Sequence, residues 1–150
     1  MYYIIHIATA YQSLLARPRE IQELIWTRTQ RQFRMKDPNH PIVSATLDQY
    51  LAKQAPDTAA INTALKAKMA LTPEFGHVIA IARAIVGNGG TPKTKVDLAE
   101  RPQDERGLLQ TFWASLGSFI ENRGVPTFVT WNGLDFTFPF LTERSASLGI

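Results

Sequence analysis

A wide apolar stripe along residues 104–122 limits what this chain can fold into more than any other feature. Large apolar residues recur there at helical spacing: Leu108, Leu109, Phe112, Trp113, Leu116, Phe119 and Ile120. A helix with so broad an apolar face must pack against another layer of secondary structure. Gly124 ends the segment, and Pro126 leads into a further apolar run. The pattern therefore predicts a long helix that crosses a β-sheet.

Three apolar segments supply strands for such a sheet. Residues 1–10 form a continuous apolar run rich in Tyr and Ile, which is typical of a central strand buried on both faces. Residues 78–86 and 93–99 flank an Asn-Gly-Gly turn that begins at Asn88. Because such turns connect neighbouring antiparallel strands, we predict that these two segments pair as a hairpin.

The segment between the first strand and the hairpin, residues 14–72, has the pattern of a helical insert. Apolar periodicity and capping residues predict helices over residues 19–33, 44–53 and 58–69. Four basic residues cluster at the end of the first helix: Arg28, Arg31, Arg34 and Lys36. Such a cluster is either a solvated face or a phosphate-contacting patch. No linker divides the chain, so we predict one α/β domain over residues 1–150.

Composition sets broad limits on partners and on location. Sixteen Lys and Arg against 13 Asp and Glu give a net charge of +3, which allows a polyanionic partner without requiring one. The absence of cysteine excludes disulfides and thiolate metal sites. No apolar run reaches the roughly 18 residues of a membrane span, and no signal-peptide pattern is present. We therefore expect a cytoplasmic protein with no membrane contact.

The stretch after residue 126 carries the most informative local pattern. A short β-branched and aromatic run from Thr127 stops at Asn132 and Gly133, and an apolar segment with Pro139 then leads into helical spacing. This succession predicts a strand, a turn and a helix. Ligand sites of α/β proteins lie at such strand-to-helix corners.

This corner resembles the second motif of the DEDD-type 3′-to-5′ exonucleases, in particular the predicted exonucleases related to the proofreading domain of family-B DNA polymerases. Their pattern is Asn-Gly-x-x-Phe-Asp-x-Pro-x-Leu, and five residues fall in register with it: Asn132, Gly133, Phe136, Pro139 and Leu141. Thr137 stands where the family has its Asp. Residues 71–76 also resemble the Leu-x-Pro-Glu-Phe-Gly segment of the family.

The resemblance implies an RNase H-like α/β fold, a mixed sheet flanked by helices with a helical insert after the first strand. Relatives continue through a further strand and a helix that carries a third motif, so we expect this fold to be incomplete at its C-terminus. An incomplete sheet leaves a strand edge and apolar surface exposed. Such surfaces favour a homo-oligomer or a docked protein partner.

The family's first motif, Phe-Asp-Ile-Glu-Thr, aligns without a gap with residues 5–9. His6 and Ala8 replace its two acids, and Thr9 is retained. The resemblance implies chemistry at two divalent ions, which need anionic oxygen ligands. Alanine offers no ligand atom, and imidazole favours softer metals. With Thr137 as a third replacement we expect no metal cofactor, and we interpret His6 as a satisfied strand histidine.

These replacements predict an exonuclease-like domain that has lost metal-dependent 3′-to-5′ nuclease activity and acts as a nucleic-acid-binding or interaction module. Thr9, Trp131 and Asn132 are the candidate contacts to single-stranded DNA or another nucleic acid. For Trp131 we favour a place in the core, with stacking on a base as the alternative. The alternative function is an active 3′-to-5′ DNA exonuclease that uses Mg or Mn through unusual ligands, or is completed by another chain.

Overall fold

The computed structural model describes residues 1–87 and 89–150 as an α/β protein with a four-stranded mixed sheet. The strands are β1 (Tyr2–Tyr11), β2 (Gly76–Val86), β3 (Lys93–Leu98) and β4 (Thr127–Thr130). The α-helices are α1 (Arg19–Lys36), α2 (Pro41–Ser44), α3 (Leu47–Leu51), α4 (Thr58–Ala70), α5 (Glu105–Arg123) and α6 (Phe138–Ser147). Single helical turns lie at Leu14–Ala16, Pro102–Asp104 and Gly133–Thr137. The chain divides into two compact units, one of Met1–Ala10 with Thr72–Ile150 and the other of Tyr11–Leu71.

The sheet has the strand order β3-β2-β1-β4. β1 and β4 run parallel, with Ile5 opposite Thr130, and β2 and β3 run antiparallel, with Ile85 opposite Lys93. The predicted hairpin and the central position of the first strand are therefore confirmed. Asn88, with which the predicted hairpin turn begins, lies outside the described residues.

β1 is covered on one face, so the prediction that both of its faces are buried is wrong. Tyr3 and Ile5 are buried, whereas Tyr2, Ile4 and His6 are exposed. Successive side chains of a strand point to opposite faces, and in β1 both sets contain large apolar residues. A continuous apolar run therefore does not tell which face a helix will cover.

α5 packs on the sheet, as its apolar stripe predicted. Four residues of the stripe are buried in the core: Leu108, Leu109, Phe112 and Leu116. Tyr3 of β1 packs edge-to-face on Phe119 and Phe128, with ring centroids 5.1 Å and 6.0 Å apart. Burial of each large apolar side chain contributes about 1.5 to 3 kcal/mol, so this helix is a main source of stability for its unit.

A buried ion pair fixes the start of α5. Glu105 is 2% exposed, and its Oε1 accepts the backbone N–H of Val78 at 2.7 Å and Nε–H of Arg144 at 3.0 Å. Nη2 of Arg144 donates to the other carboxylate oxygen, and Nη1 donates to the Pro73 carbonyl at 3.2 Å. Because a buried charge is tolerated only when it is paired and hydrogen-bonded, these contacts hold β2, α5 and α6 in one arrangement.

The Tyr11–Leu71 unit is helical. α1 and α4 correspond to the helices predicted over residues 19–33 and 58–69. The helix predicted over residues 44–53 is present as the shorter α3, because a capping box at Thr46 and Gln49 starts it at Leu47 and separates it from α2. The basic cluster at the end of α1 is exposed. No helix formed by residues 1–87 and 89–150 is long and apolar enough to cross a membrane.

Removing one partner of the buried pair tests its role. Arg144→Ala is expected to lower the free energy of unfolding by about 3 to 5 kcal/mol, because the Glu105 carboxylate stays buried without its counter-ion. Urea denaturation at pH 7, followed by circular dichroism, measures this change. Arg101→Ala is the control, since Arg101 makes an exposed ion pair with Asp104, and its effect should be small. Equal unfolding midpoints for the two variants would contradict the role of the pair.

A second ion-pair group lies on the hairpin. Nη2 of Arg83 donates to Oδ2 of Asp97 at 2.5 Å, and Nζ of Lys95 donates to Oδ1 at 2.8 Å. Burial tends to raise the pKa of the Asp97 carboxyl, but the hydrogen bond from Lys95 and the charge of Arg83 outweigh burial and hold this pKa below its usual range. The folded state therefore favours the ionised carboxylate.

The lowered pKa of Asp97 makes the stability of the hairpin depend on pH. The contribution of the carboxylate is present above its unfolded pKa of about 3.9 and is lost as the pH falls through the lower folded pKa. We expect Asp97→Asn to cost about 2 kcal/mol at pH 7 and at about pH 5, and less at each step from there down towards pH 3. Urea denaturation of both proteins over this range measures the difference. A difference that does not change with pH would refute the prediction.

Candidate functional site

The candidate site lies at the carboxyl edge of the parallel β1 and β4 pair. Ile5 lies opposite Thr130, the last residue of β4. Thr9 lies further along β1, and Trp131 and Asn132 follow β4. All three residues therefore lie towards the same edge of the sheet. Thr9 is half-buried and Asn132 is exposed. Ligand sites of α/β sheets form outside such carboxyl ends.

The two residues of β1 that align with the acids of the resembled family lie on its exposed face. His6 and Ala8 share this face with Ile4, because strand side chains alternate. His6 lines a shallow apolar depression of about 210 Å³ beside Ile4, Ala82 and Val96. Among the described residues no acid lines this depression. The imidazole is exposed on a strand, so solvent can hydrate it.

Thr137 is buried inside the corner, with 2% of its surface exposed. Its hydroxyl donates to the Trp131 carbonyl at 3.1 Å and accepts a hydrogen bond from the Thr130 hydroxyl at 3.1 Å. Thr130 pairs with Ile5 and therefore points to the helix-covered face of the sheet. Thr137 and His6 lie on opposite faces.

The positions that hold metal ligands in the resembled family do not fit a pair of hard divalent ions in this chain. Ala8 has no ligand atom, and the Thr137 hydroxyl is already engaged within the corner. His6 faces away from Thr137 and offers only an imidazole. Within the described part of the chain, no three His, Asp or Glu side chains are arranged to hold a metal ion.

Backbone geometry accounts for Asn132 and Gly133 without a ligand. Asn132 adopts the left-handed conformation, with φ 50° and ψ 45°, which Asn tolerates better than most residues. Its carbonyl accepts the N–H groups of Phe136 and Thr137 at 2.9 Å and 3.2 Å, which closes a single helical turn. A Cβ at Gly133 would stand 2.2 Å from Cγ2 of Thr130. Only glycine fits this close approach.

Trp131 is 84% exposed, so the favoured prediction of a core position is wrong. β4 ends at Thr130, and the left-handed Asn132 turns the chain before the indole can reach the interior. Leu134, in the same turn, is 88% exposed. Two large apolar side chains thus face solvent at the carboxyl edge. An indole with an accessible ring face can stack on a base, which was the alternative interpretation.

A second feature is a groove beside the C-terminal end of α5, which was not evident from the sequence. Its basic lining comes from three separate elements: Arg83 of β2, Lys93 and Lys95 of β3, and Arg123 of α5. The local signal was the spacing of Lys93 and Lys95, since alternate residues of a strand share a face. Only the register of the sheet brings the other two cations beside them.

Comparisons with protein-family models, with curated proteins and with solved structures return no match. The exonuclease resemblance therefore stays a prediction that rests on the motif residues. What the chain does has to be inferred from its own geometry.

The close approach at Gly133 can be tested by a substitution and its rescue. Gly133→Ala is expected to lower the free energy of unfolding by about 1 to 3 kcal/mol, because the added methyl group overpacks against Cγ2 of Thr130. Adding Thr130→Ser removes that atom and keeps the hydroxyl, so it should restore part of the loss. Urea denaturation measures both variants.

Gly117 provides the matched control for this experiment. It lies within α5 and has open space around the position of a Cβ. Gly117→Ala should stabilise the protein slightly, because alanine favours a helix interior more than glycine does. If Gly133→Ala behaves like Gly117→Ala, or if Thr130→Ser gives no rescue, the packing explanation fails.

Proposed function

We propose that this chain is an RNase H-like, exonuclease-like domain that binds single-stranded nucleic acid and does not hydrolyse it through metal ions. The succession of strand, hairpin, helix, strand and helix around a mixed sheet supports this fold. The observation that carries the binding proposal is the exposed Trp131 at the carboxyl edge of β1 and β4.

Base stacking supplies the binding energy in this proposal. Stacking on an aromatic side chain contributes about 1 to 3 kcal/mol per base and tolerates any sequence, because every base has a π face. Leu134 extends the apolar surface beside Trp131. Thr9 and Asn132 offer polar groups towards the same edge. The net charge of +3 adds an attraction to the phosphate backbone that weakens with salt.

The loss of hydrolysis follows from the residues at the former ligand positions. Two hard metal ions need several anionic oxygens, and His6, Ala8 and Thr137 supply none. The chain therefore keeps the corner of the fold and lacks the means to activate water through metals. A homo-oligomer or a docked protein partner stays a prediction, as does a cytoplasmic location.

Truncation of the exposed indole tests the proposal. Trp131→Ala is expected to weaken binding of a fluorescein-labelled dT15 oligonucleotide by about 5- to 150-fold at low salt, since stacking of one base is lost. Fluorescence anisotropy measures the dissociation constant. Leu98→Ala is the control, because it removes an exposed apolar side chain of β3, at the other edge of the sheet from β4, and leaves the indole in place. Absence of binding by the unmodified protein at low salt would refute the proposal, as would equal effects of the two variants.

A nuclease assay separates this function from the active exonuclease. The unmodified protein is incubated with a 5′-labelled oligonucleotide and Mg²⁺ or Mn²⁺, and the products are resolved on a denaturing gel. We expect the oligonucleotide to stay at full length. A ladder of shortened products that His6→Ala abolishes would establish the active 3′-to-5′ exonuclease instead.

A further inference from the structure

A groove of about 860 Å³ lies between the C-terminal half of α5 and the β2 and β3 hairpin. Tyr3 of β1 is part of its lining, near the amino end of that strand. The candidate site around Trp131 lies at the carboxyl edge. Tyr3 pairs with Phe128, three residues before Trp131 and about 10 Å from it at roughly 3.3 Å per residue. The cations of the hairpin lie on β2 and β3, towards the other edge of the sheet from β4. The groove is therefore separate from the site of the proposed function.

The register of the hairpin places the cations of this groove on one face. Arg83 pairs with Lys95, and Ile85 pairs with Lys93, so these side chains point to the same side of the sheet. Arg123, in the last turn of α5, completes the basic lining. No acid is among the described residues that line the groove.

Asp97 balances only part of this charge. Its carboxylate is shared between Arg83 and Lys95. Four cations with one carboxylate leave an excess of three positive charges at the groove. Such an excess is relieved by an anionic ligand that carries more than one charge.

The guanidinium of Arg83 is incompletely satisfied. Arg83 is only 8% exposed, and its hydrogen bond to Asp97 uses Nη2. Nε and Nη1 are buried and have no hydrogen-bond partner in the described protein. Buried donors are normally paired, because an unpaired one loses its hydration without compensation. Arg83 lines the groove, so a ligand in the groove can supply the missing acceptors.

We propose that this groove binds a phosphate group. Phosphate presents several acceptor oxygens, and the unpaired N–H groups on Nε and Nη1 of Arg83 can donate to them. Lys93, Lys95 and Arg123 match the charge of a phosphate better than that of a single carboxylate. Ser115 and Ser118 of α5 add hydroxyl donors along the wall. The phosphate belongs either to a small phosphorylated molecule or to the backbone of a nucleic acid.

Isothermal titration calorimetry with inorganic pyrophosphate tests the groove at low salt. We expect binding by the unmodified protein, and a loss of about tenfold or more in affinity for the Lys93→Ala, Arg123→Ala double variant, since two charged contacts are removed. Both residues are exposed, so the variant should fold, which circular dichroism checks. Arg83→Lys keeps the charge but loses the planar fork, and it should also weaken binding.

The Arg34→Ala, Lys36→Ala double variant is the matched control. It removes the same charge from an exposed part of α1 and should change the affinity by no more than about twofold, as expected for exposed charges outside the site. Absence of pyrophosphate and oligonucleotide binding by the unmodified protein would overturn the proposal. Equal losses in the two double variants would do the same, because binding would then depend on bulk charge.

A second arm distinguishes the two sources of phosphate and keeps this test separate from the proposed function. A dT15 oligonucleotide is titrated into Trp131→Ala, in which the stacking residue at the carboxyl edge is absent. Binding that is lost on adding Lys93→Ala and Arg123→Ala assigns the groove to a nucleic-acid backbone. Pyrophosphate binding without oligonucleotide binding assigns it to a small phosphorylated molecule.

Discussion

The buried carboxylate of Glu105 is the interaction on which the larger unit depends. It connects the first residues of β2, the first turn of α5 and the middle of α6 through one charge. α5 can lie over Tyr3 and the strand core only when its start is held in this place. The two surfaces with functional proposals adjoin these helices: α6 follows the corner with Trp131, and the last turns of α5 form one wall of the basic groove. An unpaired charge in a core costs free energy, and Arg144 and the Val78 N–H remove that cost by pairing with the Glu105 carboxylate.

The corner shows that the residues of a sequence motif can be required by the backbone alone. Asn132 is suited to a left-handed turn, and Gly133 is required by a side chain that comes too close for any Cβ. The Thr137 hydroxyl binds the Trp131 carbonyl and so closes the corner by itself. These residues turn the chain from strand to helix without any metal ligand at this position. The residues Asn132, Gly133 and Thr137 are therefore explained by the backbone conformation of the corner, without reference to a reaction.

Local patterns in the sequence predicted most helices and strands. Which faces are buried, and which distant residues come together, depends on contacts between these elements. The stripe of α5 and the Asn-Gly-Gly sequence between the two hairpin strands are local signals, so both elements were predicted correctly. A continuous apolar run gives no information on which face of β1 is covered, and the position of Trp131 depends on a turn that follows it. The break before α3 depends on a reciprocal hydrogen bond between Thr46 and Gln49. Arg83 and Arg123 are 40 positions apart in the sequence, so their shared groove was beyond any local pattern.

The lysines of β3 have a consequence for association between copies of the chain. β3 is an outer strand of the sheet, so its free side carries backbone donors and acceptors that could pair with another strand. Two copies that approached along this edge would bring Lys93 and Lys95 of one close to those of the other, and like charges that face each other across strands repel. The lysines that line the groove therefore oppose the pairing of β3 strands from two copies of the chain. A bound anion that neutralised them would weaken this protection.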